Sequence, residues 1–125
     1  MTNIFKDSRG AAAVEFAIAA PVMALLIFGV LQLGLYGVAN AGVKQAVDEA
    51  ARMSIIYPRP TDASIKAALL QGTFGVKNSD LTVSLTHGSL NGGAYVDINA
   101  RYVVPSIGLG LPTLAVSETR RAFQN

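Results

Sequence analysis

The sequence predicts an α+β protein: a long N-terminal transmembrane helix that continues into a small domain with a second helix and a three-stranded antiparallel sheet. Three features predict this class. No charged side chain occurs from Phe16 to Val43. From residue 81 onward, apolar and polar residues alternate as they do in half-buried strands. The chain has 125 residues, which leaves room for one small domain beside the helix.

The apolar run is long enough to cross a membrane. At about 1.5 Å of rise per residue it forms roughly 42 Å of helix, more than the ~30 Å hydrocarbon core of a bilayer. We predict a leader at 1–10, a transmembrane helix at 11–43 and an exported domain at 44–125. Lys6 and Arg9 precede the run, so the positive-inside rule predicts a cytoplasmic N-terminus.

Two other kinds of membrane segment fit part of this pattern. A secretory signal peptide would be cut at small residues such as Ala39-Asn40-Ala41, but its apolar core would hold only roughly 7–15 residues. A plain signal anchor fits the length and the orientation. Neither alternative requires Glu15, the acidic residue at the beginning of the apolar run.

Small and polar residues distinguish positions along the predicted helix. Four alanines recur at helical spacing and share one face: Ala13, Ala17, Ala20 and Ala24. This face either lets another helix approach closely in lipid or reflects the high frequency of alanine in helices. Pro21 is expected to kink the helix. Gln32 and Asn40 either bond to partner helices or lie near the outer interface of the bilayer.

The helix is expected to leave the membrane and to continue through 44–57. It should end before Pro58, because the residue before a proline avoids helical backbone angles. A second helix is predicted near 63–71, with Thr61 or Asp62 as its N-cap. The residues expected on its buried side are Ile65, Ala68 and Leu69.

The alternating pattern predicts three strands. Two of them lie near 81–86 and 96–102 and are joined by a turn-rich connection at 87–93, and a third lies at 114–121. Short links between consecutive strands favour an antiparallel meander. The inward residues of the first two strands are expected to pack on the helix continuation around Val47: Leu81, Val83, Leu85, Val96, Ile98 and Ala100.

Composition and motifs argue against several functions. The chain has no cysteine, which excludes disulfides and thiolate chemistry. Only 14% of its residues are charged, its net charge is +2, and its one basic pair after the helix is Arg120-Arg121, so we expect no nucleic-acid partner. His87 is the only histidine and is expected to be an exposed turn residue. We therefore predict that the protein is not an enzyme and has no cofactor and no metal site.

Glu15 is the residue that most suggests a function. A charged side chain carried to the middle of a bilayer costs on the order of 2.5–3.5 kcal/mol, so acidic residues in such segments are usually functional. In the alternative interpretation, Glu15 only extends its carboxylate to the membrane interface and has no further role.

The residues around Glu15 resemble a known processing site. Residues 9–16 read RGAAAVEF, and an alanine-rich stretch, a proline and a long apolar segment follow. This pattern resembles the cleavage site of type IV pilin-like proteins. In its Gly-x-x-x-x-Glu-Phe form it resembles the TadE-like family, minor pseudopilins of the tight-adherence (Flp) pilus. A TadF-type pseudopilin, or a TadE-like protein recruited to another export machine, fits the same residues.

The resemblance implies a type IV pilin-like fold and a route of assembly. A prepilin peptidase would cut after Gly10, which makes Ala11 the new N-terminus, and Glu15 and Phe16 would act in assembly. The implied partners are this peptidase, other pilins and pseudopilins, the pilus assembly platform and the membrane. The implied location is the bacterial inner membrane, with a cytoplasmic N-terminus and a periplasmic or extracellular domain, or the pilus itself.

Two functions of different classes follow. In a pilus component, Glu15 of one subunit can meet the free amine of Ala11 in a neighbour, and in a low dielectric this pair would select the axial register. In the alternative, the chain is a membrane-anchored exported domain that binds a ligand or partner and does not enter a pilus. Cleavage after Gly10 distinguishes the two.

Overall fold

The computed structural model of the chain describes residues 8–108 and 110–124. Its elements in chain order are α1 (Ser8–Ser54), α2 (Asp62–Gly72), β1 (Leu81–Leu90), β2 (Gly93–Val104) and β3 (Leu114–Gln124). The three strands form one antiparallel sheet in the order β1-β2-β3. This architecture confirms the predicted α+β class. Residues 1–7 of the predicted leader lie outside the described residues.

The helix α1 contains 47 residues and is about 70 Å long. It continues through Pro21, and the kink that we expect there stays a prediction. Within the described residues, α1 is the one helix that is long and apolar enough to cross a membrane. The rest of the chain buries none of its most apolar stretch.

The helix α1 ends at Ser54, three residues before the predicted end of its continuation at residue 57. The prediction relied on Pro58. The hydrogen bonds that stabilise the observed end of the helix lie at Ser54 instead. The Ser54 hydroxyl donates to the Ala51 carbonyl (2.7 Å), and the Ser54 carbonyl accepts from Gln124 Nε2 (3.4 Å). These bonds occupy carbonyl groups that the last turn of a helix otherwise leaves without a partner.

The helix α2 begins and ends close to the predicted positions. Thr61 is its N-cap, because the Thr61 hydroxyl accepts a hydrogen bond from the Ser64 backbone N–H (3.3 Å). Ile65 and Leu69 are buried, whereas Ala68 is only half-buried. The second helix therefore contributes two large side chains to the core.

The connection between β1 and β2 is shorter than predicted. The prediction of a turn-rich connection at 87–93 is wrong, because β1 continues to Leu90 and pairs there with Gly93. Only Asn91 and Gly92 form the turn, with φ of 52° and 84°. Positive φ at both central residues is typical of a two-residue type I′ turn, which the Asn-Gly pair favours.

The core lies between the second half of α1, α2 and the inward face of the sheet. The inward residues of β2 are all buried: Val96, Ile98, Ala100 and Tyr102. In β1, Leu81 is buried but Val83 and Leu85 are only half-buried, so their predicted place in the core is wrong in part. The reason is that α1 packs mainly across β2 and β3, so that β1 lies at the margin of the helix contact.

Candidate functional site

The helix α1 divides into two parts, which differ in whether other parts of the chain bury their residues. We call residues 11–31 the uncovered half, because none of them is buried. We call residues 32–54 the covered half, because buried residues recur there on the face toward the domain. The buried residues of the covered half are Gln32, Ala39, Gly42, Val43, Ala46, Val47, Ala50 and Ser54.

The residues of the predicted processing site all lie at the beginning of α1. Gly10, Ala11 and Glu15 are exposed, and Phe16 is 73% exposed. Apart from its own helix, no atom of the described chain lies within 4 Å of the position that a side chain at Gly10 would occupy. None of the ion pairs among the described residues involves Glu15. The structure therefore brings these four residues to one accessible end of the uncovered half.

The predicted alanine face also lies on the uncovered half. Ala13 and Ala17 are exposed and Ala20 and Ala24 are half-buried. Pro21, beside this face in the sequence, is exposed. No other element of the described chain packs on these alanines strongly enough to bury them. A role for this face in helix packing stays a prediction that concerns another chain.

The boundary between the two halves is a buried polar residue. Gln32 is 4% exposed, its Nε2 donates to the Pro105 carbonyl (3.1 Å), and its Oε1 accepts from the Ile107 backbone N–H (3.1 Å). Sequence reasoning proposed a partner helix or the interface for Gln32 and missed this loop of its own chain. A glutamine within an apolar run indicates a hydrogen-bond partner, but the sequence does not identify it.

Close backbone contact attaches the domain to the covered half. At Gly42 an added side chain would collide with the Phe74 carbonyl, and at Gly75 it would collide with Val38. Gly75 also has a φ of 68°, which other residues rarely adopt. Sequence reasoning missed Gly42, because a glycine that allows close approach looks the same in the sequence as one that does not.

Polar contacts connect β3 to the end of α1. Arg120 Nε donates to Asp48 Oδ1 (2.8 Å), and the Arg120 side chain is 52% exposed in this ion pair. Gln124 is buried and bonds to the Ser54 carbonyl. Exposed ion pairs contribute little to stability, about 0–1 kcal/mol. Their main effect here is to fix the position of β3 beside the helix.

The outer face of the sheet carries a cluster that sequence reasoning did not identify. Arg121 donates to both carboxylate oxygens of Asp97 (2.7 and 2.8 Å) and lies 4.1 Å from the centre of the Tyr95 ring. Tyr95 contacts Phe123 edge-to-face, and an added side chain at Gly88 would collide with Tyr95. The bond from Arg121 lowers the pKa of Asp97, against the opposing effect of burial, and the same bond raises the pKa of Arg121.

His87 is exposed as predicted, but it lies in β1 and not in a turn. Its Nε2 lies 2.9 Å from Asp62 Oδ1, so it connects the edge strand to the beginning of α2. In the part of the chain that the structure describes, no group of three or more His, Asp or Glu side chains lies together as a metal site requires.

Comparison with protein families gives a match to the long helix. The model of the family described as "TadE-like protein" matches residues 10–52. The match confirms the predicted resemblance to the TadE-like family, and it covers α1 from Gly10 almost to the end of the helix. No curated protein and no solved structure matches the chain significantly.

Proposed function

We propose that this chain, which is similar to TadE-like proteins over residues 10–52, is a minor pseudopilin of a tight-adherence (Flp-type) pilus. It is a structural component without catalytic activity. A prepilin peptidase cuts it after Gly10, and α1 holds it in the bacterial inner membrane with its domain outside the cytoplasm. Its partners are this peptidase, other pilins and pseudopilins, and the pilus assembly platform.

The observation that carries the proposal is the uncovered half of α1. An apolar helical segment without a cover in its own chain needs lipid or other helices around it, because apolar surface is unfavourable in water. A pseudopilin uses both surroundings in turn, first the membrane and then the bundle of helices. The same segment begins directly after Gly10 and contains Glu15 and Phe16 near its beginning, and these are residues of the resemblance.

Cleavage after Gly10 requires an open backbone at the beginning of α1. Gly10 lies in the first turn of the helix and is exposed. A glycine within a helix is about 1 kcal/mol less favourable than an alanine, so this turn opens at small cost. We infer that Gly10 favours cleavage in two ways. It has no side chain to obstruct the peptidase, and it weakens the helix at the cleavage site.

Glu15 acts after cleavage in this proposal. Its carboxylate is about 6 Å along the helix axis from the new amine of Ala11, which is a poor geometry for a pair within one chain. Its exposure leaves it free to meet the amine of a neighbouring chain. Away from water an unpaired carboxylate is costly, so the pair selects a register more than it adds net stability.

The experiment that tests the function is mass spectrometry of the N-terminus in cells that contain a prepilin peptidase. We expect the mature chain to begin at Ala11 and Gly10→Val to leave the full-length precursor. Gly29→Val is the matched control, since Gly29 also lies in α1 without contacts at its side-chain position, and it should be cut normally. An uncut wild-type chain, or one that begins near Ala41, would contradict the proposal.

A second candidate function depends on the outer face of the sheet. Tyr95, Asp97, Arg121 and Phe123 form one cluster there, and Phe123 is 51% exposed. Aromatic and arginine side chains on a surface are enriched in protein interfaces. This cluster favours a membrane-anchored domain that binds a partner without entering a pilus. An uncut chain that is stable in the membrane would favour this alternative.

A further inference from the structure

Part of the domain lies beside the end of the uncovered half. Ile107 shares a groove with helix residues between Phe28 and Val38. Leu111 and Pro112 share a second groove with helix residues between Leu25 and Leu33. These apolar residues belong to the loop between β2 and β3. We call the surface that they form the underside of the domain: Ile107, Leu111 and Pro112.

The position of Gln32 gives the depth of the underside relative to Glu15. Gln32 is about 25 Å along the helix axis from Glu15. If Glu15 marks the inner edge of a hydrocarbon core of ~30 Å, Gln32 lies roughly 5 Å inside the outer edge. A tilt of the helix moves Gln32 farther in. The loop that bonds to Gln32 therefore reaches the level of the outer acyl chains.

Several polar groups of this loop are bonded within the chain. Besides the two bonds to Gln32, the Ser106 hydroxyl donates to the Leu111 carbonyl (2.8 Å). The same hydroxyl accepts from the Gly108 N–H (3.3 Å), and the Leu111 N–H donates to the Gly108 carbonyl (3.2 Å). A loop in water does not need such bonds, but irregular backbone at membrane depth does.

The loop that forms the underside also lacks charged side chains. No Lys, Arg, Asp or Glu occurs from Pro105 to Ser117. The ion pairs Asp48–Arg120 and Asp97–Arg121 lie nearer the β1–β2 turn than this loop. Asp80 and Arg101 lie closer to the loop, where β1 begins and β2 nears its end, but they are not part of it. Charged side chains are costly in hydrocarbon, so the uncharged loop is the part of the domain that lipid can accept.

We propose that the underside is embedded in the outer leaflet of the membrane that α1 spans. This inference rests on the proposed membrane anchoring and adds where the domain sits. The occupant of the two grooves is then lipid acyl chain, continuous with the lipid around the uncovered half. In this proposal, the part of the helix that lipid surrounds on all sides is shorter than the predicted span 11–43, because from Gln32 onward the domain shares the outer leaflet with α1.

The test uses the absence of cysteine from the chain. Single variants Ile107→Cys and Pro112→Cys carry a nitroxide label in the full chain, reconstituted in phosphatidylcholine–phosphatidylglycerol vesicles. Collision with oxygen reports lipid and collision with a water-soluble nickel complex reports water. The controls are Leu26→Cys in the uncovered half and Asn91→Cys in the β1–β2 turn, which is exposed at the opposite end of the sheet.

We expect the logarithm of the oxygen-to-nickel ratio to be positive at residues 107, 112 and 26 and negative at residue 91. A negative value at 107 and 112 with a positive value at 26 overturns the inference and leaves the anchoring intact. A negative value at 26 overturns the anchoring itself. Low accessibility to both reagents at 107 and 112 shows that protein covers the underside, and it also overturns the inference. The two labelled positions, one of them exposed in the structure, guard against a single variant that fails to fold.

Discussion

Most of the uncovered half of α1 and the beginning of the covered half lie in the uncharged run that ends at Val43, but their surroundings differ. In the uncovered half, Leu26 is 65% exposed and Val30 is 69% exposed, whereas in the covered half Val43 and Ala46 are 0% exposed. An apolar run in the sequence therefore does not by itself tell which residues contact lipid and which contact protein. In this chain the change of surroundings occurs at Gln32, whose amide bonds to the β2–β3 loop.

The largest expected effect is the unfolding of the domain that packs on the covered half. Ile98 is 0% exposed on the inward face of β2. Ile98→Asp removes roughly 1.5–3 kcal/mol of burial and places a charge where the core excludes water, against a total stability of about 4–12 kcal/mol for a domain of this size. We expect the domain to unfold and to become sensitive to protease while α1 still enters the membrane.

The matched control is Val103→Asp, on the outer face of the same strand, where Val103 is 46% exposed. Limited proteolysis of both variants in membranes makes the comparison. Protease resistance of Ile98→Asp equal to that of the wild type would contradict the described core.

A smaller effect is expected from the contact between α1 and the Phe74 loop. Gly42→Ala places a methyl group against the Phe74 carbonyl, so backbone must shift, at a cost of about 1–3 kcal/mol. Gly37→Ala is the control, because no atom outside its own helix lies within 4 Å of its side-chain position and alanine favours the helix. Denaturant unfolding of the full chain in detergent should give a lower midpoint for Gly42→Ala only. Equal midpoints for the two variants would show that the loop does not pack closely on the covered half.

The smallest expected effect is a pH dependence that belongs to the domain alone. Arg121 lowers the pKa of Asp97 in the folded state. The stabilisation from this pair is therefore complete above the ordinary aspartate pKa of about 3.9, and it is lost as pH falls through the lowered pKa of the folded state. Thermal unfolding of the full chain in detergent between about pH 6 and pH 2 should show that Asp97→Asn weakens this acid-induced loss.

Asp80→Asn is the control for this titration, since the described partner of Asp80 is the Ser79 hydroxyl and not an arginine. It should keep the acid dependence of the wild type. An Asp97→Asn variant with unchanged acid dependence would contradict the account of the pair.

Much of the fold could be predicted because its signals are local. The long helix, the Thr61 cap and the inward alternation of β2 each depend on neighbouring residues in the sequence. The β1–β2 connection was predicted too long, because Gly88 and Ser89 are typical of turns although both lie in a paired strand. Gly88 serves there to accommodate the Tyr95 ring.

The motif at the beginning of the candidate site could be recognised for a related reason, and the roles of its residues stay predictions. The residues from Gly10 to Ala24 form a local motif, and the family match covers them. The limits of the uncovered half depend on contacts between distant parts of the chain, such as Gln32 with Ile107 and Gly42 with Phe74. Periodicity in the sequence does not report contacts of this kind.

The measurement that tests the central claim most directly is a count of surface pili in a Glu15→Gln strain. We expect the protein to insert, to be cut after Gly10 and to accumulate normally, and the pili to be absent. Glu49→Gln is the matched control, because Glu49 is an exposed glutamate on the covered half of the same helix, and its pili should be normal. A Glu15→Gln strain with a normal number of pili and correctly processed protein would contradict the claim that the uncovered half acts in assembly through Glu15.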